Sequence, residues 1–216
     1  MQASILQALN DAPAANPKRS PSTIRRQLGQ AERDLTAATT RRDAVAAAVR
    51  KTFPGVETLA AASMAEALDG AGIVTLCTNA TEPFYTAAMA QPGTHINAIG
   101  AIVPARAEFT GDVFPRCSAI AVDTVEGVRE LSREFIDHFS AASGNDAGWA
   151  RVQPISQVIR EGRRRAPGAD LTLFKAMGMG IADLAVAIEV LRVAEARGLG
   201  TRLPERQRQE LPLGGA

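Results

Sequence analysis

Gly72-Ile73-Val74-Thr75-Leu76-Cys77-Thr78 is a continuous apolar run bounded by turn residues, and its reading decides the fold. Runs of this length that do not alternate with polar residues suit a parallel strand buried on both faces. Two further runs repeat the pattern. His95 to Gly100 follows the turn Gln91-Pro92-Gly93, and Ala119 to Val122 ends in Asp123. Asp170 to Lys175 (DLTLFK) is a fourth strand candidate. Helical spacing separates them: Ser63 to Leu68, with Ser63 as cap and Glu66 three residues on; Glu126 to Phe139; Ile155 to Glu161; and Ile181 to Arg197. The last carries Leu184, Ala187, Ile188 and Leu191 on one face, and Gly198 and Gly200 end it. Strands alternating with helices predict an α/β fold with an open parallel sheet.

The N-terminal side is read differently. Gln2 to Leu9 is a short amphipathic helix. Asp11 to Gln30 reads as loop, Asp34 to Thr39 as a weak strand, Arg42 to Phe53 as an alanine-rich helix stopped by Pro54-Gly55, and Val56 to Leu59 as a short strand. Ala141 to Gly148 reads as a polar loop, and the tail after Arg202 is polar and rich in Pro and Gly.

Composition excludes several classes. The 216 residues are 46% hydrophobic and 22% charged with a formal net charge of +1, which gives no field for nucleic acid or acidic lipid. Arg25-Arg26 and Arg163-Arg164-Arg165 lie in polar stretches and read as solvated surface. Aromatics make up only 4%, too few for base-stacking platforms. No apolar run approaches the roughly 20 residues that span a bilayer, and no signal pattern opens the chain. The expectation is a cytoplasmic protein with neither nucleic-acid nor membrane partners. Cys77 and Cys117 read as buried small hydrophobes, His138 as surface, and His95, at the start of its strand, as structural. The widely spaced histidines and cysteines form no metal-ligand pattern. There is no G-x-S-x-G elbow and no Walker loop.

In open α/β sheets, ligands bind outside the carboxyl ends of the strands. That points to Thr39-Thr40, Thr78-Asn79-Ala80, Ile99-Gly100-Ala101 and Asp123-Thr124. Thr78 and Asn79 offer small polar groups for a ribose or nicotinamide, or else form a polar turn. Gly100, lacking a Cβ, lets a flat ring approach the backbone, or else is a plain strand-end glycine. The dinucleotide signature itself is absent. Gly70-Ala71-Gly72 precedes a strand, and Gly178-Met179-Gly180 lacks the third glycine.

Three stretches together resemble the ornithine cyclodeaminase/mu-crystallin family: Ala71 to Pro83, Pro92 to Gly100 (PGTHINAIG), and Leu171 to Gly178 continued by Ala182-Asp183-Leu184-Ala185. The resemblance covers residues 56 to 201. It implies a Rossmann-type parallel sheet that is incomplete, with the first strand and glycine loop missing. Gln2-Ala3 looks like the pair that follows that loop. The implied division is a residual segment over 1–30, a partial nucleotide-binding domain over 31–169, a strand and helix returning to the substrate and dimer domain over 170–201, and a tail over 202–216.

The implied cofactor is NAD or NADP, the implied substrate a small amino or imino acid, and full-length relatives are expected to be homodimers. By resemblance, Thr78 and Asn79 contact the nucleotide, Ile99, Gly100 and Ala101 line the nicotinamide, and Arg106 is the basic residue after Pro104. Ala176 lies near the cofactor, Met177 near the substrate, and Thr39 where an acidic residue would hold the adenine ribose. Cyclodeaminases of the family carry an acid-base aspartate where this sequence has Ile102. That favours a reductase or dehydrogenase of a cyclic imino acid over an ammonia-releasing cyclodeaminase, with a non-catalytic ligand-binding remnant as the other reading.

Overall fold

A computed structural model of the protein describes residues 21–140, 144–201 and 203, with side chains described from residue 26 onward. The amphipathic segment Gln2 to Leu9 lies outside these residues, as does nearly all of the polar tail. The chain divides into two compact units, residues 1–67 and 68–216.

In the first unit a single helix, α1 (Pro21–Thr52), replaces the loop and weak strand expected over this stretch. Alanine and arginine, both good helix formers, are its commonest residues, and Pro21 sits in the first turn, where its missing N–H costs nothing. The helix also absorbs its threonines. Thr36, Thr40 and Thr52 donate their hydroxyls to the carbonyls of Glu32, Thr36 and Ala48 one turn back. Val56 to Leu59 is not a strand either: it has no ladder partner. Instead, Arg50 of α1 donates to Thr58 O at 2.8 Å and Arg42 to Ala61 O at 3.0 Å, tying this segment back to the helix. Ser63 caps α2 (Met64–Leu68), accepting from Glu66 N, while Glu66 reaches back to Ala62 N.

The second unit is built on a five-stranded sheet in the order β1-β2-β5-β3-β4, parallel throughout. Its strands are β1 (Ile73–Leu76), β2 (His95–Ala98), β3 (Cys117–Val122), β4 (Val152–Pro154) and β5 (Leu171–Lys175). Between them come α3 (Val113–Arg116), α4 (Val125–Leu131), α5 (Arg133–His138) and α6 (Ile155–Arg160), with α7 (Gly180–Ala196) after β5. A 3-10 turn, Asp146–Arg151, begins within the expected polar loop and runs past its end at Gly148. β5 is the middle strand of the sheet, so a domain division at 169/170 falls within the sheet rather than between domains. The 30/31 division likewise falls inside α1.

The core lies on one face of this sheet. Val74, Leu76, Ile96, Ala98, Ile120, Val122 and Leu173 pack against Tyr85, Phe109, Phe114, Val128, Phe135 and Phe139. Phe114 meets Phe109 and Phe135 edge to face, with ring centroids 5.4 and 4.9 Å apart, and stacks on His138 at 4.5 Å. His138 is therefore half-buried against the aromatic cluster rather than on the surface.

The expectation of strands buried on both faces fails for β1 and β2, whose buried residues alternate. β1 is an edge strand, and Ile73, Thr75 and Cys77 are exposed. Cys117 is buried as expected, and its thiol is pushed up to about 12 chiefly by desolvation. On the second face, a groove of about 740 Å³ runs over Ala119, Ala121 and Phe174, rimmed by Arg163, Arg164 and Arg165.

The helix expected over Glu126 to Phe139 is broken at Ser132, which adopts an extended conformation (φ −86°, ψ 105°). α7 forms where expected and ends at Gly198 (φ +63°), but the apolar face assigned to it is uncovered. Ile181, Leu184, Val186, Ile188, Val190 and Leu191 are all more than half exposed. Among the described residues, no helix is long and apolar enough to cross a membrane.

Candidate functional site

Four parallel strands end side by side, and their carboxyl ends are joined by buried acidic groups. After β1 come Thr78 and Asn79; after β2, Ile99, Gly100 and Ala101; after β3, Asp123 and Thr124; after β5, Ala176 and Met177.

Glu108, fully buried, connects the first two ends. Its Oε1 accepts from Thr78 N at 2.5 Å and from Thr78 Oγ1 at 2.9 Å. Its Oε2 accepts from Gly100 N at 2.9 Å and Ala101 N at 3.3 Å. The backbone N–H of Glu108 itself donates to Glu134 Oε1, whose other oxygen accepts from Ser132 Oγ. The break at Ser132 thus serves a purpose, because it turns Glu134 inward.

Lys175, at the end of β5, is also fully buried. Its Nζ donates to Ala101 O at 2.6 Å and lies 3.7 Å from Glu134 Oε1. Burial pushes this ammonium below the usual lysine range, opposed by Glu134, Glu108 and Asp123. Asp123 performs the same service between β3 and β5. Its Oδ2 accepts from Met177 N at 2.8 Å and Gly178 N at 2.7 Å, and its Oδ1 from Thr124 N. Thr124 then caps α4 by accepting from Gly127 N.

The sequence-predicted residues fall into three groups. Thr78, Asn79, Gly100, Ala101 and Arg106 come together in one hydrogen-bonded patch, with Ile99 beside it. Arg106 donates to Asn79 Oδ1 at 3.0 Å, joining the loop after β2 to the end of β1. Ala176 and Met177 follow β5; Ala176 N donates to Ala98 O, while the Met177 side chain turns into the core. Thr39 lies in the middle of α1 in the first unit, exposed and at no strand end. His95, held by Thr172 Oγ1 at 2.8 Å and Asn97 Oδ1 at 3.1 Å, sits at the opposite end of β2 from the patch.

Gly100 has its own reason to be glycine. A Cβ there would fall inside the van der Waals shells of Thr78 N, Thr78 O and Glu108 Oε1. Sequence reading missed Glu108, Glu134 and Lys175. The available signal was a charged residue set inside an apolar stretch, as in Ala107-Glu108-Phe109 and at the end of the strand Leu171–Lys175. Among the described residues, no cluster of histidine, cysteine or carboxylate groups is arranged to hold a metal ion.

What the patch offers a ligand follows from what is already committed. The N–H groups of Thr78, Gly100 and Ala101 and the Thr78 hydroxyl proton are used by Glu108. The polar side chains facing solvent are Asn79 and Arg106, beside the apolar surface of Ile99, Ile102 and Val103, which are 42%, 43% and 41% exposed. A flat, partly apolar group with a polar edge fits such a surface.

The model of the ornithine cyclodeaminase/mu-crystallin family matches residues 24–197. The chain belongs to this family. It is 27% identical over 139 residues to a Delta(1)-pyrroline-2-carboxylate reductase of Bacillus cereus, covering 64% of this chain and 42% of that protein. It is 32% identical over 125 residues to the ketimine reductase mu-crystallin of Mus musculus, covering 58% of this chain and 36% of the mouse protein. Among solved structures, the Thermococcus litoralis Delta(1)-pyrroline-2-carboxylate reductase in complex with NADH and L-proline superposes with a TM-score of 0.62 at 26% identity. That match covers 73% of this chain and 48% of the archaeal one. The chain thus spans less than half the length of these family members. The Rossmann-type α/β fold expected from the sequence is the fold of the family and of this sheet.

Proposed function

We propose that this chain carries the nicotinamide side of an NAD(P)-dependent reductase acting on a cyclic imino acid of the Δ1-pyrroline- or Δ1-piperideine-2-carboxylate type. One observation carries the choice of reaction. Ile102, directly after the Gly100-Ala101 end of β2, stands where the family's cyclodeaminases place an acid-base aspartate. An isoleucine neither accepts nor donates a proton, and such a step is commonly worth ~10²–10⁴-fold in rate. Hydride transfer needs no such group at this position. The bound nicotinamide supplies the hydride, and the protein supplies position and surroundings.

Asn79 and Arg106 are the polar side chains for the nucleotide, with Thr78 beside them and its donors held by Glu108, and Ile99, Gly100 and Ala101 form the wall beside the nicotinamide. Ala176 lies at the neighbouring strand end, and Met177, given by resemblance as near the substrate, backs this surface from the core side. Thr39, in the middle of α1 and at no strand end, has no role in this reading. A second reading is that this chain binds a small ligand without turnover; the exposed surface of Ile99, Ile102 and Val103, which carries no proton-transfer group, supports it.

The test is direct. The protein is mixed with NADH or NADPH and each imino acid, and loss of the reduced nucleotide is followed alongside ammonia release from L-ornithine. Oxidation of NAD(P)H dependent on the imino acid supports the reductase. Ammonia from ornithine overturns the use made of Ile102. Nucleotide binding without turnover selects the second reading.

A further inference from the structure

We infer that Glu108 is a positioning residue that sets the shape and hydrogen-bonding character of the nicotinamide-side surface. It does so by locking the ends of β1 and β2 together and consuming the backbone donors there. Each of its oxygens serves a different strand end: Oε1 takes Thr78 N and Thr78 Oγ1, and Oε2 takes Gly100 N and Ala101 N. The strands pair only up to Leu76 and Ala98, so beyond this register the ladder no longer holds the chains together. One main-chain bond, from Ile99 N to Leu76 O, continues the pairing by a step. Past that point the carboxylate takes the place of the ladder.

A carboxylate suits this task because it accepts on both sides without donating. Four converging donors around one buried anion make charge-assisted bonds, each stronger than a neutral one. The absence of a Cβ at Gly100 lets the carboxylate and Thr78 approach the end of β2.

Two further contacts secure the arrangement from below. Glu134 accepts the Glu108 backbone N–H, and Lys175 donates to Ala101 O while lying 3.7 Å from Glu134. With Thr78 N, Gly100 N and Ala101 N all engaged, a ligand meets none of these backbone donors. It is read instead by the side chains of Asn79 and Arg106 and by the apolar surface of Ile99. Glu108 acts through these groups and touches no ligand itself. The ligand part of the inference rests on the function proposed above.

The experiment uses Glu108→Gln in the full chain, with Ile120→Val, a core change in β3, as a control for general destabilisation. A glutamine keeps the volume but accepts on one oxygen only, so it satisfies one strand end and presents an N–H₂ to the donors of the other. Amide hydrogen exchange is measured across β1, β2 and β5, and NADH binding is measured by fluorescence.

The expected result is exchange faster by about tenfold or more at the strand end that faces the N–H₂, either Thr78 or the pair Gly100 and Ala101, the scale of one lost bond to a charged group. Val74, Ile96 and Leu173 keep the rates seen in the control, and NADH binding weakens by about tenfold or more. Exchange that is unchanged at the three amides, or raised equally throughout the sheet as in Ile120→Val, overturns the inference. So does equal NADH affinity in parent and variant. Failure of the parent to bind NADH overturns the nicotinamide reading instead, and the exchange pattern still decides the role of Glu108.

Discussion

A methyl group on Gly100 would meet Thr78 backbone atoms, which cannot swing aside, and the Glu108 carboxylate, which four donors hold in place. Gly100→Ala is therefore expected to destabilise the protein by ~1–3 kcal/mol, the range for forced overpacking, measured as a lower urea midpoint at unchanged slope. Lys175 makes a second residue-scale case. Its ammonium is buried with Glu134 as its close counter-charge. Lys175→Met leaves the Glu134 carboxylate without that partner and Ala101 O without its donor, a loss expected to cost about 3–5 kcal/mol. Adding Glu134→Gln to that variant is expected to cost less than the separate effects summed, because the unpaired charge is removed. Strict additivity in the double-mutant cycle would show that the two groups do not interact. Both sites explain why sequence reading was partial here. The strand-end residues Thr78, Gly100 and Ala101 were legible from their place after apolar runs. The carboxylate that organises them arrives from a loop thirty residues beyond Thr78, and no local periodicity reports such a contact.

At the scale of elements, β1, β2, β3 and β5 and helices α2, α6 and α7 were legible because apolar runs, a capping box and terminal glycines are local signals, whereas the three-residue β4 was not expected. α1 was misread over Asp34 to Thr39 as a weak strand, whereas a helix satisfies the hydroxyls of Thr36 and Thr40 one turn back. The helix after β3 was read as one piece, whereas it breaks at Ser132, whose hydroxyl donates to the buried Glu134, a contact that helical spacing does not report. α7 poses the opposite problem, being well formed yet apolar on faces that nothing in the described structure covers. A helix that is apolar all round belongs against another surface. Leu184→Glu with Ile188→Glu is thus expected to reduce binding of an apolar dye and light scattering by the protein. The unfolding free energy is expected to move by no more than ~0.5 kcal/mol, as for exposed positions elsewhere. A large loss of stability would show that these two side chains are already packed.

For the second unit as a whole, the aromatic cluster makes stability depend on pH through His138. An ordinary histidine titrates near 6.5, and the value in the fold is lower, first because burial penalises the cation and second because Arg151 repels it. Between those two values the unfolded chain holds more protons than the folded one, so stability rises with pH across that window. Acidification from neutrality therefore removes stability as the pH falls through 6.5, and the loss is complete once it lies below the folded value. Asp170 adds a separate loss at lower pH. The bond from Arg116 holds its carboxyl below its ordinary 3.8, so its contribution is present above that value and fades as the pH drops through the lower folded one. The first loss sets in at 6.5 and the second only at 3.8, so the onset of each allows it to be assigned. Melting temperatures taken across the range around and just below pH 6.5 should fall with acidity in the parent. They should flatten in His138→Phe, which keeps an aromatic ring against Phe114 but cannot be protonated. Asn145 donates to the His138 main-chain carbonyl, a contact that the substitution leaves in place. An equally steep fall in His138→Phe would move the pH dependence to other groups and remove His138 from the account.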